Sequence, residues 1–396
     1  MPQDTEMKAR GLVFTPRRTL AFHYFLYFAV LGVYLPYFNP YCRHLGFSGS
    51  EIGWITGTRS AAVIILPMIW AWLADRYQAR RLIFILCNFV STGFFLLYFA
   101  TESFYPMLVI TALYSVFYAP IIAFLEAFSM EILGRDKNSY GRIRVWGSLA
   151  FILTVMGVGR LMSLLSPAVV LWAIAAGATI QAVLSTRMPD TDTSTPPPRA
   201  RDAKLFFEPR ILAFLLAAFL MLVSHGTYYT FYSIHMEENL GFPYWLISVV
   251  WALGTLAEVG VMLKSRPILD RFRPQSVIAF SLLVAVFRWI IVGTFESAWI
   301  LVPAQALHAA TYGTFHIASI VYIEKLIPES ARTTGQAVNN SMTYGAGLAV
   351  GGVVSGYLYE LVSAPVAFYA MSGVALLGLV LFRGQVVLAK REAEQA

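Results

Sequence analysis

Tyr105-Pro-Met-Leu-Val-Ile-Thr-Ala-Leu-Tyr-Ser-Val-Phe-Tyr-Ala-Pro-Ile-Ile-Ala-Phe-Leu-Glu126 runs on to Leu133 as an almost wholly apolar stretch. After the polar loop Gly134-Arg-Asp-Lys-Asn-Ser-Tyr-Gly141, the next apolar stretch opens with Arg142-Ile-Arg144-Val-Trp-Gly147. About 20 apolar residues in a helix cross the hydrocarbon of a bilayer, and each stretch is long enough. A carboxylate inside one span and guanidiniums at the mouth of the next are costly in lipid unless they find partners. Charges held at such depth mark functional sites. The segment therefore reads as two membrane helices with a site between them.

Working outward, windows of this kind fall near residues 19–41, 52–74, 82–100, 106–133, 145–165, 167–186, 211–234, 244–263, 276–294, 298–323, 336–359 and 365–383. The chain is 58% hydrophobic and 13% charged with a mean hydropathy of +0.64, against roughly 25% charge in a soluble domain. The expected fold class is an all-α membrane protein with twelve transmembrane helices. The net charge of +7 does not point to nucleic acid. About 25 of the 29 Lys and Arg fall at the amino terminus, the even-numbered turns and the carboxyl terminus, and the odd-numbered turns hold only Arg43. By the positive-inside rule both termini are expected in the cytoplasm, here of a bacterial inner membrane. The first apolar run is too long and aromatic for a cleaved signal peptide. Cys42 and Cys87 lie at opposite depths, so neither a disulfide nor a metal site is expected of them.

Met188-Pro-Asp-Thr-Asp-Thr-Ser-Thr-Pro-Pro-Pro-Arg-Ala-Arg-Asp-Ala-Lys204 is polar and Pro-rich, a linker by composition. The expected organisation is an amino-terminal six-helix bundle over 1–187, a cytoplasmic linker over 188–208 and a second six-helix bundle over 209–396. The halves echo each other. Leu73-Ala-Asp75-Arg76-Tyr77 returns as Ile268-Leu-Asp270-Arg271-Phe272, 195 residues on, and Gly141-Arg142 returns as Gly335-Gln336, 194 on. Such internal repeats build many secondary transporters.

Ala71-Trp-Leu-Ala-Asp75-Arg76-Tyr-Gln78-Ala-Arg80-Arg81 resembles the signature loop between helices 2 and 3 of the major facilitator superfamily, with Ala71 and Gln78 standing where glycine is usual. Within it the likeness is to lactose-permease-like proton symporters of the phenylpropionate permease type. It is carried by Gly32-Val-Tyr34-Leu-Pro36-Tyr-Phe38, Ser50-Glu-Ile-Gly53, Glu126-Ala-Phe128, Gly141-Arg-Ile-Arg144-Val-Trp-Gly147, Ala257-Glu258, Arg288 and Leu307-His308, in that order over nearly the whole chain. The resemblance implies two pseudo-symmetric six-helix bundles, the major facilitator fold, around a central cavity. It also implies a cytoplasmic gate drawing on Asp75, Arg76, Arg80, Asp270 and Arg271.

Arg144, Gly147, Ser148 and Phe151 recur at helical spacing, so a guanidinium, a close-approach position and an aromatic ring share one helix face. The resemblance implies that Glu126 and Arg144 bind substrate, with Phe151 stacking on it; the alternative is a purely structural clamp. In the second half the resemblance implies proton coupling through Glu258, Arg288 and His308. Thr311, Tyr229 and Tyr232 replace carboxylates of the lactose-type pattern there, which leaves Glu258 as the main proton carrier and Glu126 as its rival. A neutral hydrogen-bonded filling of the bundle is the other reading of Arg288 and His308. Arg59, where the pattern has no charge, either attracts an anion or snorkels outward. Tyr34, His225, Tyr228 and Asn340 complete the candidate substrate contacts, although the stripe His225, Tyr228, Tyr229 and Tyr232 also suits packing. His316 reads as a core histidine more readily than as a lining one. The glycines Gly345, Gly347, Gly351, Gly352 and Gly356 suit close helix packing.

Metal-spaced His and Cys, a phosphate-cradling loop and a nucleophile beside a base are all missing from the sequence, so neither enzymatic chemistry nor ATP use is expected. No cofactor is expected beyond a proton gradient. The expected partners are a small-molecule substrate, protons and lipid, with the chain working as a monomer. The leading function is proton-coupled uptake of a small organic solute such as an aromatic carboxylate. Alternatives are a sugar or nucleoside symporter, a passive uniporter, and a non-transporting receptor or lipid-handling protein on the same fold.

Overall fold

The computed structural model describes residues 15–134, 136, 140–190 and 203–395. Its spanning helices in chain order are α1 (Pro16–His44), α2 (Gly49–Arg76), α3 (Arg80–Ala100), α4 (Phe104–Leu133), α5 (Tyr140–Leu164), α6 (Val169–Ser185), α7 (Pro209–Asn239), α8 (Tyr244–Leu263), α9 (Pro274–Thr294), α10 (298–326), α11 (332–361) and α12 (Ala364–Val387). Turns between them are short, and the helix starts follow from local chemistry. Ser48 caps α2 in a reciprocal box with Glu51, while Pro16, Pro209 and Pro274 open α1, α7 and α9, where a missing N–H costs nothing. Large apolar side chains such as Leu82, Trp172, Leu263 and Trp299 stay exposed around the outside, as a lipid-facing belt requires.

Three helices of the second half are not regular. A π-helical turn ends α7 at His235–Asn239, another interrupts α10 at Ala309–Gly313, and a third interrupts α11 at Ser341–Gly347. α10 also carries Pro303, and α7 changes course at His225. Such turns re-aim side chains and concentrate at functional sites.

Residues 188–208 are docked at both ends. Met188 is buried and its carbonyl accepts from Arg81 Nε at 2.6 Å. Ala203–Phe207 forms a 3-10 turn whose Leu205 and Phe206 pack on the core. Apolar residues at the end of the polar stretch cover core surface; residues 191–202 lie outside the described residues.

The halves meet from mid-span out to the face bearing the α1–α2 turn. Asn39 Nδ2 donates to the Thr230 carbonyl at 3.0 Å, Arg43 pairs with Glu238 at 2.8 Å, and the Ser50 N–H donates to Glu360 at 2.7 Å. Ser341 Oγ donates to the Ile64 carbonyl at 2.7 Å, near the middle of the span. A glycine seam between α2 and α11 allows this closure. A Cβ on Gly53 would lie 2.8 Å from the Gly352 carbonyl oxygen and 3.0 Å from Gly356 Cα. Among the described residues no hydrogen bond or ion pair joins the halves at the opposite face, which carries the start of α1 and the α6–α7 connection. The hydrogen bonds and ion pairs described between the halves thus lie from mid-span to one face.

Candidate functional site

The second half holds a buried chain of polar groups. Arg288 of α9 is fully buried. Its Nη1 donates to His308 Nδ1 at 2.8 Å and to Thr311 Oγ1 at 3.1 Å, and its Nη2 donates to Gln305 Oε1 at 3.1 Å. Its guanidinium also lies over the rings of Tyr228, at 4.4 Å, and Trp289, at 4.6 Å. His308 Nε2 stands 2.6 Å from Glu258 Oε1. Because a guanidinium can only donate, Nδ1 must accept, and the ring proton must sit on Nε2 facing the carboxylate. His308 is thereby held in one neutral tautomer between a fixed cation and an acid. The π-helical turn sets Thr311 and Tyr312 beside it, and Tyr312 stacks on His308 with centroids 5.3 Å apart.

The other second-half candidates surround this chain. His225 Nδ1 donates to the Met221 carbonyl at 2.8 Å, leaving Nε2 as acceptor, 3.4 Å from Thr311 Oγ1. Tyr228 and Tyr232 are buried, and the Tyr232 hydroxyl accepts from Gln305 Nε2 at 2.6 Å. His316 bonds the Tyr344 hydroxyl at 2.6 Å and lies parallel to Tyr312. Asn340 is exposed just before the π-helical turn of α11, whereas its neighbour Asn339 is buried.

In the first half, Glu126 is exposed and Arg144 half-buried. They lie within electrostatic reach of each other, yet no ion pair joins them. The Arg144 guanidinium instead covers the Phe28 ring at 3.9 Å and reaches towards Tyr24 at 5.6 Å. A direct clamp between α4 and α5 is therefore not formed in this state, because the ring face competes for the cation. Arg144 also acts electrostatically on Glu258, Tyr312 and His316, so it confronts the second-half chain across the space between the bundles. Phe151 is buried at the α1–α5 contact, where its backbone lies against Gly32, and in this state its ring belongs to the core.

Arg59 does not snorkel. It turns into the first bundle over Tyr34, at 4.4 Å, and Tyr118, at 5.8 Å. The gate residues pair within their own half: Arg80 bridges Asp75, at 3.3 Å, and Glu131, while Arg76 lies over Trp72. Asp270 is exposed near Arg266, and Arg271 near Phe272. Gln78, in the loop beside Asp75, has φ 49°. Glycine is usual there because the backbone is left-handed, not because helices touch.

Sequence reasoning places Tyr312 midway between His308 and His316, and it missed Gln305, Tyr344, Tyr27, Phe28 and Tyr118. Helical spacing from His308 points to Gln305, three residues before it. Nothing in the sequence distinguishes Tyr27 and Phe28 from the other aromatics of α1. Among the described residues no cluster of His, Cys, Asp and Glu could hold a metal ion.

Comparison with known proteins agrees with this architecture. The chain is similar to the uncharacterized transporter YwbF of Bacillus subtilis, 25% identical over 90% of this chain and 91% of that one. It is similar at the same identity to a probable 3-phenylpropionic acid transporter of Escherichia coli, over 92% of this chain and 97% of that one. Its fold matches the crystal structure of the nucleoside transporter NupG with a TM-score of 0.84 and 18% identity, over 94% of this chain and 99% of that one. The family model described as the MFS_1 like family matches residues 18–370. With twelve helices in two halves around buried intramembrane polar groups, the chain belongs to the MFS_1 like family of the major facilitator superfamily and is a multi-pass membrane transporter, not an enzyme.

Proposed function

We propose that this transporter is a proton-coupled symporter that takes up a small organic solute, such as an aromatic carboxylate, by alternating access. The observation that carries the reading is the Arg288–His308–Glu258 chain, with Arg144 across the cavity. His308 cannot accept a second proton at Nδ1 without losing its bond from Arg288. Glu258 has a second carboxylate oxygen, so it is the group able to take and release the proton. Neutralising Glu258 also removes its attraction for Arg144, which belongs to the other half. Protonation then alters the force between the bundles, and this links the proton to the opening and closing of the cavity.

On the same reading both termini lie in the cytoplasm of a bacterial inner membrane, the face opposite the α1–α2 turn opens inward, and the transporter works as a monomer. The gate charges Asp75, Arg80, Asp270 and Arg271 meet across the halves only in the opposite conformation. A sugar or nucleoside is the second reading of the substrate. It is supported by Glu126 and Arg144 as a hydroxyl-binding couple and by the similarity to NupG.

The test is solute-driven proton entry into proteoliposomes. Wild type should acidify the lumen when an accepted solute is added outside. Glu258→Gln should lose acidification while keeping solute counterflow. Acidification that survives in Glu258→Gln sinks the assignment.

A further inference from the structure

Arg59, Arg144 and Arg288 lie inside the spanning bundles, and their surroundings differ. Arg288 is committed through its two Nη groups, which donate to His308, Thr311 and Gln305, although its Nε, like that of Arg59, is buried without a partner. Arg144 lies between two acids, Glu126 on its own half and Glu258 opposite. Arg59 makes no hydrogen bond and no ion pair with any described residue, and its Nε is buried without a partner. Its guanidinium lies over the rings of Tyr34 and Tyr118, and Tyr118 stacks in turn on Tyr114 and Tyr27. Tyr34 is itself buried with a hydroxyl that lacks a partner.

An unpaired cation inside a bundle is costly, and ring faces attract its charge without accepting its in-plane N–H groups. An anion with two acceptor oxygens in a plane would accept from those N–H groups, the geometry in which a carboxylate meets guanidinium. The walls specify the remainder of the ligand. Tyr27 stacks on Tyr118 at 5.4 Å, Tyr118 on Tyr114 at 4.8 Å, and Tyr34 on Phe38 at 4.5 Å. Tyr27 also meets Phe28 edge-on at 5.2 Å, beneath Arg144, so ring contacts are continuous from Arg59 to Arg144.

We propose that Arg59 is the anchor for the carboxylate of an aryl monocarboxylate substrate, and that Tyr27, Tyr34 and Tyr118 form the sleeve for its flat body. This deepens the reading of an organic-acid symporter and rests on it. Charge decides against Arg144 as the anchor. A carboxylate placed there meets the like charges of Glu126 and Glu258, whereas the side chains over which Arg59 lies are the uncharged Tyr34 and Tyr118.

The test measures binding of benzoate, phenylacetate and 3-phenylpropionate, each against its neutral amide, to the full-length protein in proteoliposomes. Wild type should prefer acid to amide by at least about thirtyfold, the effect of removing one partner of a buried charge pair. Arg59→Gln should erase that preference, and Arg59→Lys should keep the preference with weaker binding. Arg144→Gln should keep it. Tyr34→Phe should weaken acid binding, a readout available if Arg59→Gln fails to fold. The proposal is overturned if wild type binds none of the three acids, if Arg59→Gln keeps the preference, or if the preference is lost in Arg144→Gln instead. Loss of the anchor alone, with acidification still dependent on Glu258, removes this inference and leaves proton symport standing.

Discussion

Replacing Gly53 with alanine should turn the transporter towards its other conformation. In the closed seam the new Cβ would sit 2.8 Å from the Gly352 carbonyl oxygen and 3.0 Å from Gly356 Cα. Both are backbone atoms of α11, so neither can swing aside and the helices must part. Overpacking of this kind costs about 1–3 kcal/mol, and it falls on the closed seam alone, because parted helices have no contact there. The ratio of conformers should therefore shift roughly 5- to 150-fold. Thiol labelling reads this directly, since Cys42 and Cys87 are both buried. A cysteine at Thr56, inside the seam, should label faster in Gly53→Ala. One at exposed Asn340 should label more slowly. Gly157→Ala is the control, because a Cβ there meets nothing within 4 Å, and it shares the gain in helix propensity. If both alanine variants label alike at both reporters, the seam does not hold the closed face shut.

Arg288→Met should lower stability by about 3–5 kcal/mol, the usual cost of breaking a buried charged network, seen as a fall in the detergent-solubilised melting temperature. Glu238→Gln should move Thr56 labelling less than about fivefold, because its pair with Arg43 is part-exposed and such pairs contribute about 0–1 kcal/mol. Gln78→Val should destabilise by about 1–3 kcal/mol, since a β-branched residue resists φ 49° and the 2.6 Å bond from Gln78 Nε2 to the Asp75 carbonyl is lost; a melting temperature equal to wild type would refute the strain.

The helices were legible because lipid permits few alternatives: twelve apolar windows became twelve spans. What the sequence hid was irregularity. The π-helical turn of α10 packs against α8 and that of α11 against α7 and α2, and nothing in Ala309–Gly313 or Ser341–Gly347 announces them. The charges were legible for the same reason as the helices, since Glu126, Arg144, Glu258 and Arg288 stand out in apolar runs. Their partners were not. Arg144 chooses the Phe28 ring over direct contact with Glu126, and Arg59 chooses Tyr34 over the membrane surface. Both choices depend on how α1 lies against its neighbours, which no spacing within one helix encodes.

The replacement of acids in the second half carries a consequence for charge movement. Thr311, Tyr229 and Tyr232 cannot give up a proton in the working range, and Arg288 binds through His308 to one acid, Glu258. A single carboxylate carries a single proton. If the substrate is a monocarboxylate held by Arg59, each cycle moves one proton with one anion, and no net charge crosses the membrane. A potential of 100 mV acts on one elementary charge with about 2.3 kcal/mol, nearly fiftyfold in an equilibrium. Accumulation driven by a pH gradient should therefore be unchanged when a potassium diffusion potential of that size is imposed on the proteoliposomes. A neutral sugar carried with the same proton should instead respond by nearly the full fiftyfold. An equal response from an aryl carboxylate would mean a second proton, with Glu126 as the acid placed to carry it, and Glu126→Gln should then abolish the sensitivity to potential.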